Sequence, residues 1–87
     1  MRRDEPPFIC PVCGYRGLAE RPYNESGGGS FEICPCCGYE FGFDDDSEGT
    51  SHQEYRRRWL ADGAPWFDPE QKPDGWDLEV QLRNAAP

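Results

Sequence analysis

The chain has 87 residues, a net charge of −8 and a mean hydropathy of −0.92. A chain this short forms one domain, and its polar composition leaves too little apolar material for a core that is stable on its own. No apolar stretch is long enough to span a membrane or to act as a secretion signal.

Residues 1–7 are predicted to form a flexible arm, and they are followed by two copies of one cysteine motif. The copies read Ile-Cys-Pro-x-Cys-Gly-Tyr, start at Ile9 and Ile33, and differ only at the position marked x. Proline holds φ near about −65° and glycine accepts a left-handed backbone, so each copy predicts a tight turn that presents two thiols. Short strands are expected on both sides of each turn.

The strand predicted after the second turn is the clearest of these. Tyr39, Phe41 and Phe43 alternate with other residues and should share one face of a strand. With the strand before the turn, it predicts a β-hairpin whose aromatic side chains cover the thiols.

The cysteine spacing, C-x2-C-x20-C-x2-C, is typical of a tetrahedral site for one metal ion. Zinc is the expected ion, and iron is the alternative because tetrahedral thiolates accept both. The fifth thiol, Cys36, is predicted to point outward and not to bind the metal. An odd number of cysteines argues against a disulfide framework and favours a reducing, cytoplasmic environment. The predicted ligands are Cys10, Cys13, Cys34 and Cys37.

An acidic loop over residues 44–49 follows the second turn. Its first positions match a calcium loop, but Tyr55 stands where a bidentate glutamate is needed, so a solvated loop is expected. Thr50 or Ser51 should then start a helix that runs from about His52 to Asp62 and stops at Gly63, and Ser51 has capping-box spacing to Glu54. His52 is expected to cap or pack locally rather than to bind metal.

The rest of the chain predicts an extended segment over residues 64–75 and a last helix over residues 77–84. Trp59, Trp66 and Trp76 should form a second apolar cluster that attaches this part to the cysteine turns. The arginines at positions 56–58 are expected on the solvated side of the first helix.

The two turns resemble those of zinc ribbons and rubredoxin-like proteins. Residues 31–37, followed by aspartates at 44–46, resemble the cysteine-rich CPCC family of small bacterial proteins. The resemblance implies zinc at the four cysteines and no assigned reaction. The expected fold is therefore a small α+β metal-stabilised domain, with a rubredoxin-like zinc ribbon over residues 8–49 and a helical extension over residues 50–87.

A closed four-thiolate site has no open coordination position, so an enzyme is not expected. The leading prediction is an interaction module for a protein partner with a basic surface, because the chain is strongly negative. An iron electron carrier of the rubredoxin kind is the alternative. Binding to nucleic acid through the arginines at 56–58 is less favoured, because phosphate is repelled by an acidic domain.

Overall fold

Two short α-helices and one 3₁₀ turn are the regular elements within residues 8–85. The computed structural model describes residues 8–85, so the arm predicted for residues 1–7 lies outside the described part. Helix α1 spans His52–Ala61, the 3₁₀ turn spans Pro69–Gln71, and helix α2 spans Leu78–Leu82. Their arrangement is compact, with a radius of gyration of 12.5 Å. No helix among these residues is long and apolar enough to cross a membrane.

Strand pairing is confined to isolated antiparallel bridges. Within residues 8–85 these bridges do not extend into a sheet, so the predicted β-hairpin is not confirmed. The paired residues are Phe8 with Leu18, Tyr23 with Gly29, and Ile33 with Glu40.

The strand predicted over residues 39–43 is wrong. Gly42 has a left-handed backbone, with φ of +100°, and residues 41–47 form turns. The carboxylate of Asp44 accepts a hydrogen bond from the backbone N–H of Glu40 and stabilises this turn. Phe41 is therefore buried, while Phe43, expected on the same face, is 42% exposed.

Helix α1 begins at the predicted residue and ends one residue before the predicted end. Ser51 Oγ accepts a hydrogen bond from the backbone N–H of Glu54, which satisfies one donor of the first turn. The helix ends at Ala61, one residue before the predicted end, and Asp62 is its C-cap. Gly63 then adopts a φ of +95°, the left-handed conformation that terminates many helices.

The buried side chains form one continuous core around the cysteines. Trp59 and Trp66 belong to this core, and Trp76 packs against it, so the tryptophans attach the carboxyl-terminal half to the cysteine turns as predicted but form no second cluster among the described residues. The 3₁₀ turn interrupts the segment predicted to be extended over residues 64–75. Helix α2 is shorter than the predicted 77–84, with Asp77 as its N-cap and Arg83 as its C-cap.

Candidate metal centre

The two cysteine turns have the same backbone geometry. In the first turn, Cys10 N–H donates to Tyr15 O at 2.8 Å and Gly14 N–H donates to Cys10 O at 2.9 Å. The second turn repeats both bonds, at 3.0 and 2.8 Å. The two glycines have φ of +87° and +85°, a conformation that other residues adopt only with strain. The second pair of bonds runs from Cys34 N–H to Tyr39 O and from Gly38 N–H to Cys34 O. The internal repeat of the sequence is therefore also a repeat of structure.

The turns face each other and bring four sulfur atoms within 4.8 Å of one another. Cys10 Sγ lies 3.8 Å from Cys37 Sγ, and Cys13 Sγ lies 3.7 Å from Cys34 Sγ. A tetrahedral ion with metal–sulfur bonds of about 2.3 Å would separate its sulfurs by about 3.8 Å, whereas a disulfide needs about 2.05 Å. All four side chains are buried. They could therefore hold one metal ion.

Hydrogen bonding among the thiols moves their pKa values in opposite directions. Bonding to Cys10 is the largest cause in each case, and it lowers the pKa of Cys34 while raising the pKa of Cys13. Metal ions bind thiolates, so a bound cation replaces the protons that the sulfurs otherwise share.

Cys36 is buried, not outward-facing as predicted. Its side chain is 0% exposed, and Gln81 Nε2 donates to its sulfur at 3.2 Å and to Cys13 O at 3.1 Å. Trp76 Nε1 in turn donates to Gln81 Oε1 at 2.7 Å, which fixes the orientation of this amide. Cys36 is not one of the four clustered sulfurs. The sequence carries little sign of this role for Gln81, which has the pattern of an ordinary exposed residue of a short helix.

Helix α1 supports both turns through side chains. Arg56 donates to the carbonyl oxygens of Val12 and Pro11, from Nε at 2.6 Å and from Nη2 at 2.8 Å. Tyr55 Oη donates to Cys37 O at 3.0 Å. The prediction of a solvated face for Arg56 is wrong, and the available signal was its position four residues after His52, on the inner face of the helix.

The other two arginines of the triplet remain outside this contact. Arg57 is exposed, and Arg58 pairs with Glu54 at 2.6 Å. The triplet therefore does not act as a single basic surface.

Backbone contacts from the carboxyl-terminal half complete the enclosure. Phe67 N–H donates to Cys36 O at 3.0 Å, and Asp68 N–H donates to Pro35 O at 2.8 Å. Asn84 Nδ2 donates to Gly14 O at 3.3 Å. The segment after α1 thus lies against the second turn, and α2 lies against the first.

His52 packs beside the core, as predicted. Its Nε2 is 2.8 Å from Tyr23 Oη, and its ring packs edge-on against Tyr39 with 5.2 Å between centroids. Tyr23 Oη also donates to the carboxylate of Asp45. Burial lowers the pKa of His52. Among the described residues, the acidic loop does not bring three carboxylates together around one point.

Two proteins of Bacillus subtilis (strain 168) are similar to this chain. Uncharacterized protein YozI is 32% identical over an alignment 93 residues long, gaps included. The alignment covers 90% of this chain and 72% of that protein. Uncharacterized protein YoaQ is 35% identical over 81 residues, which cover 77% of this chain and 69% of that protein. The chain belongs to the family of YozI and YoaQ. No family model matches it, and no solved structure does.

For this member of the YozI and YoaQ family, the geometry describes a closed cage. The four clustered sulfurs are at most 5% exposed, and contacts from α1 and α2 cover the turns that carry them. Such an arrangement could hold one metal ion.

Proposed function

We propose that this protein is a small zinc-binding interaction module whose metal has a structural role. The observation that carries the metal site is the spacing of the sulfurs, 3.7 and 3.8 Å across the two turns. Both distances match the edge of a tetrahedron with metal–thiolate bonds of about 2.3 Å, and the resemblance of the two turns to zinc ribbons favours zinc over iron. The ligands would be Cys10, Cys13, Cys34 and Cys37.

The bound ion would contribute much of the folding free energy. Structural zinc contributes about 10–16 kcal/mol in small zinc domains, whereas a domain of this size gains only a few kcal/mol from its core. The chemistry that the ion supplies is therefore cross-linking of the two turns. A metal held by four buried thiolates has no open coordination position, and we therefore propose that the protein is not an enzyme.

Native mass spectrometry of untagged protein, expressed with zinc and iron both supplied, tests the metal. One zinc per chain, lost together with folded structure on chelation, supports the proposal. One iron per chain with reversible reduction would replace it with the rubredoxin-like electron carrier. A folded chain without metal would refute both.

The interaction role rests on charge and on exposed apolar side chains. The net charge of −8 suits a partner with a basic surface. Phe67 is 60% exposed and Val80 is 54% exposed. Nucleic acid is the weaker candidate, because Arg56 is engaged with the first turn and Arg58 with Glu54.

Affinity capture with the zinc-loaded protein tests this role, with chelated protein as the control. A partner that binds only the zinc-loaded form, and is released by salt, supports a folded acidic module. Capture of the same proteins by both forms would refute it, because binding would not need the folded surface.

We further propose that the two turns form a rubredoxin-like zinc ribbon and that the chain is related to the cysteine-rich CPCC proteins. The matching backbone bonds of the two turns support the first idea, and residues 31–37 support the second. A cytoplasmic location is supported by the five cysteines, all of which are reduced thiols in the structure.

A further inference from the structure

A cavity of 330 Å³ lies between α1 and the segment that crosses the second cysteine turn. Aromatic rings make up much of its wall, contributed by Tyr55, Trp59, Trp66 and Phe67. Its volume is at the lower end of the range for ligand sites, which is about 300–1,000 Å³. The cavity is large enough for one apolar side chain of a binding partner, and it borders the metal site through Cys37.

Phe67, whose side chain is exposed, lines a second cavity as well as the first. The second cavity has a volume of 290 Å³ and is lined by Ile33 and Pro35 on its apolar side. Ile33 is itself 41% exposed. The two cavities that share Phe67 are together called the Phe67 groove below.

Trp66, which lines the first cavity, carries an unpaired donor. Its side chain is only 8% exposed, and its Nε1 is buried with no acceptor among residues 8–85. A buried donor without a partner destabilises a protein by about 1–3 kcal/mol. The indole nitrogens of Trp59 and Trp76, in contrast, donate to Pro65 O and Gln81 Oε1. Trp66 is thus the tryptophan for which an incoming carbonyl oxygen would complete the hydrogen bonding.

The charges around the groove favour a basic occupant. Asp62 lines the first cavity and has no ionic partner within the described residues, while Arg58 beside it is neutralised by Glu54. Glu32 and Asp68 line the second cavity. A second copy of this chain would bring another net charge of −8 to the same surface and would be repelled.

We propose that the Phe67 groove binds an extended, basic peptide segment of a partner protein. An apolar side chain of the peptide occupies the first cavity, a main-chain carbonyl accepts from Trp66 Nε1, and a lysine or arginine faces Asp62. This inference rests on the proposed interaction role and names its surface and partner chemistry. Because Trp66 Nε1 is enclosed, the peptide carbonyl reaches it only when neighbouring side chains shift. A change in the resonance of the Trp66 indole N–H therefore reports that the peptide occupies the cavity.

The test is an NMR titration of the zinc-loaded, ¹⁵N-labelled chain with a capped pentapeptide that has phenylalanine between two prolines and a lysine at each end. The control peptide has glutamate at both ends. We expect the lysine peptide to shift the Trp66 indole N–H saturably, the Trp76 indole to move less, and the glutamate peptide to have little effect. The Trp66 signal is assigned with the Trp66→Phe variant.

Three variants, each checked for bound zinc, locate the binding. Phe67→Ala should weaken binding about tenfold or more because it removes the central apolar contact. Asp62→Asn should weaken it about threefold because it removes an exposed charge. Phe31→Ala is the matched control, since Phe31 is 62% exposed and lines neither cavity, and it should bind normally.

Several outcomes would overturn the inference. Equal binding of both peptides would refute the charge argument, and an unmoved Trp66 resonance at millimolar peptide would refute the groove. Shifts confined to other residues would place a basic partner elsewhere and leave the interaction role intact. A shift of Trp66 caused by protein concentration alone would show that a second copy fills the groove.

Discussion

Alanine at Gly14 and alanine at Gly38 form a matched pair that tests whether α2 helps to close the metal centre. The two glycines have nearly equal φ values, +87° and +85°, so a side chain at either position incurs a similar backbone strain of about 1–2 kcal/mol. Their surroundings differ. A Cβ at Gly14 would lie 2.1 Å from the backbone oxygen of Gln81, whereas a Cβ at Gly38 would lie 3.0 Å from the side chain of Phe67.

The exposed ring of Phe67 can turn aside, but the backbone of α2 has to move as a whole. That movement breaks the hydrogen bonds from Gln81 Nε2 to Cys13 O and from Asn84 Nδ2 to Gly14 O. Two such bonds contribute about 2 kcal/mol together, which corresponds to about 30-fold in an equilibrium constant. Because folding and metal binding are coupled, we expect the zinc affinity of Gly14→Ala to be about 30-fold below that of Gly38→Ala.

Competition with a chromophoric chelator at constant pH measures both affinities against the unsubstituted protein. Equal losses in the two variants would refute the reasoning, because they would show that only backbone strain matters and that the contact of α2 with the first turn does not stabilise the site.

Three further predictions concern individual side chains. Cys36→Ser should retain one zinc by native mass spectrometry, while Cys37→Ser should lose it. In the zinc-loaded wild-type protein, Cys36 should resist labelling by iodoacetamide because it is buried, and rapid labelling of Cys36 would contradict this. Arg56→Gln should lower the free energy of unfolding of the zinc-loaded protein, measured by urea denaturation, by about 2 kcal/mol, because two charge-assisted hydrogen bonds are lost. Arg57→Gln, at the exposed neighbouring position, should change it by less than about 0.5 kcal/mol. The pKa of His52, followed through its ring protons by NMR, should lie below its ordinary value of 6.5 because burial disfavours the charged ring. The contribution of His52 to the free energy of unfolding is then complete above pH 6.5 and declines as the pH falls towards the lower pKa of the folded state. A measured pKa of His52 above 6.5 would contradict this prediction.

Features specified by neighbouring residues were predictable from the sequence. Ser51 and Gly63 bracket α1 because the cap and the stop act within one turn of the helix. The four cysteines could be grouped in advance because proline and glycine at fixed positions shape each turn locally. Their approach to within 4.8 Å agrees with that grouping, although which ion they bind is still a proposal.

Features that depend on distant contacts were not predictable. Cys36 is buried because Gln81, 45 positions further along the chain, lies over it, and no periodic pattern signals such a contact. The alternation of aromatic residues through Phe43 predicts a strand, but Gly42 and the Asp44 carboxylate favour a turn there. The charge of Arg56 predicts a solvated side chain, but carbonyl oxygens of the first cysteine turn are good acceptors for a guanidinium group.

The bonds from Gln81 and Asn84 to the first cysteine turn join residues that are 68 and 70 positions apart. A ribosome adding about 5–20 residues per second takes about 4–14 s to make that length of chain. During this time the first two thiols exist without α2 over them, exposed to cellular oxidants and to whichever metal arrives first. The order of synthesis therefore makes the newborn chain most vulnerable at the site that the finished protein encloses best.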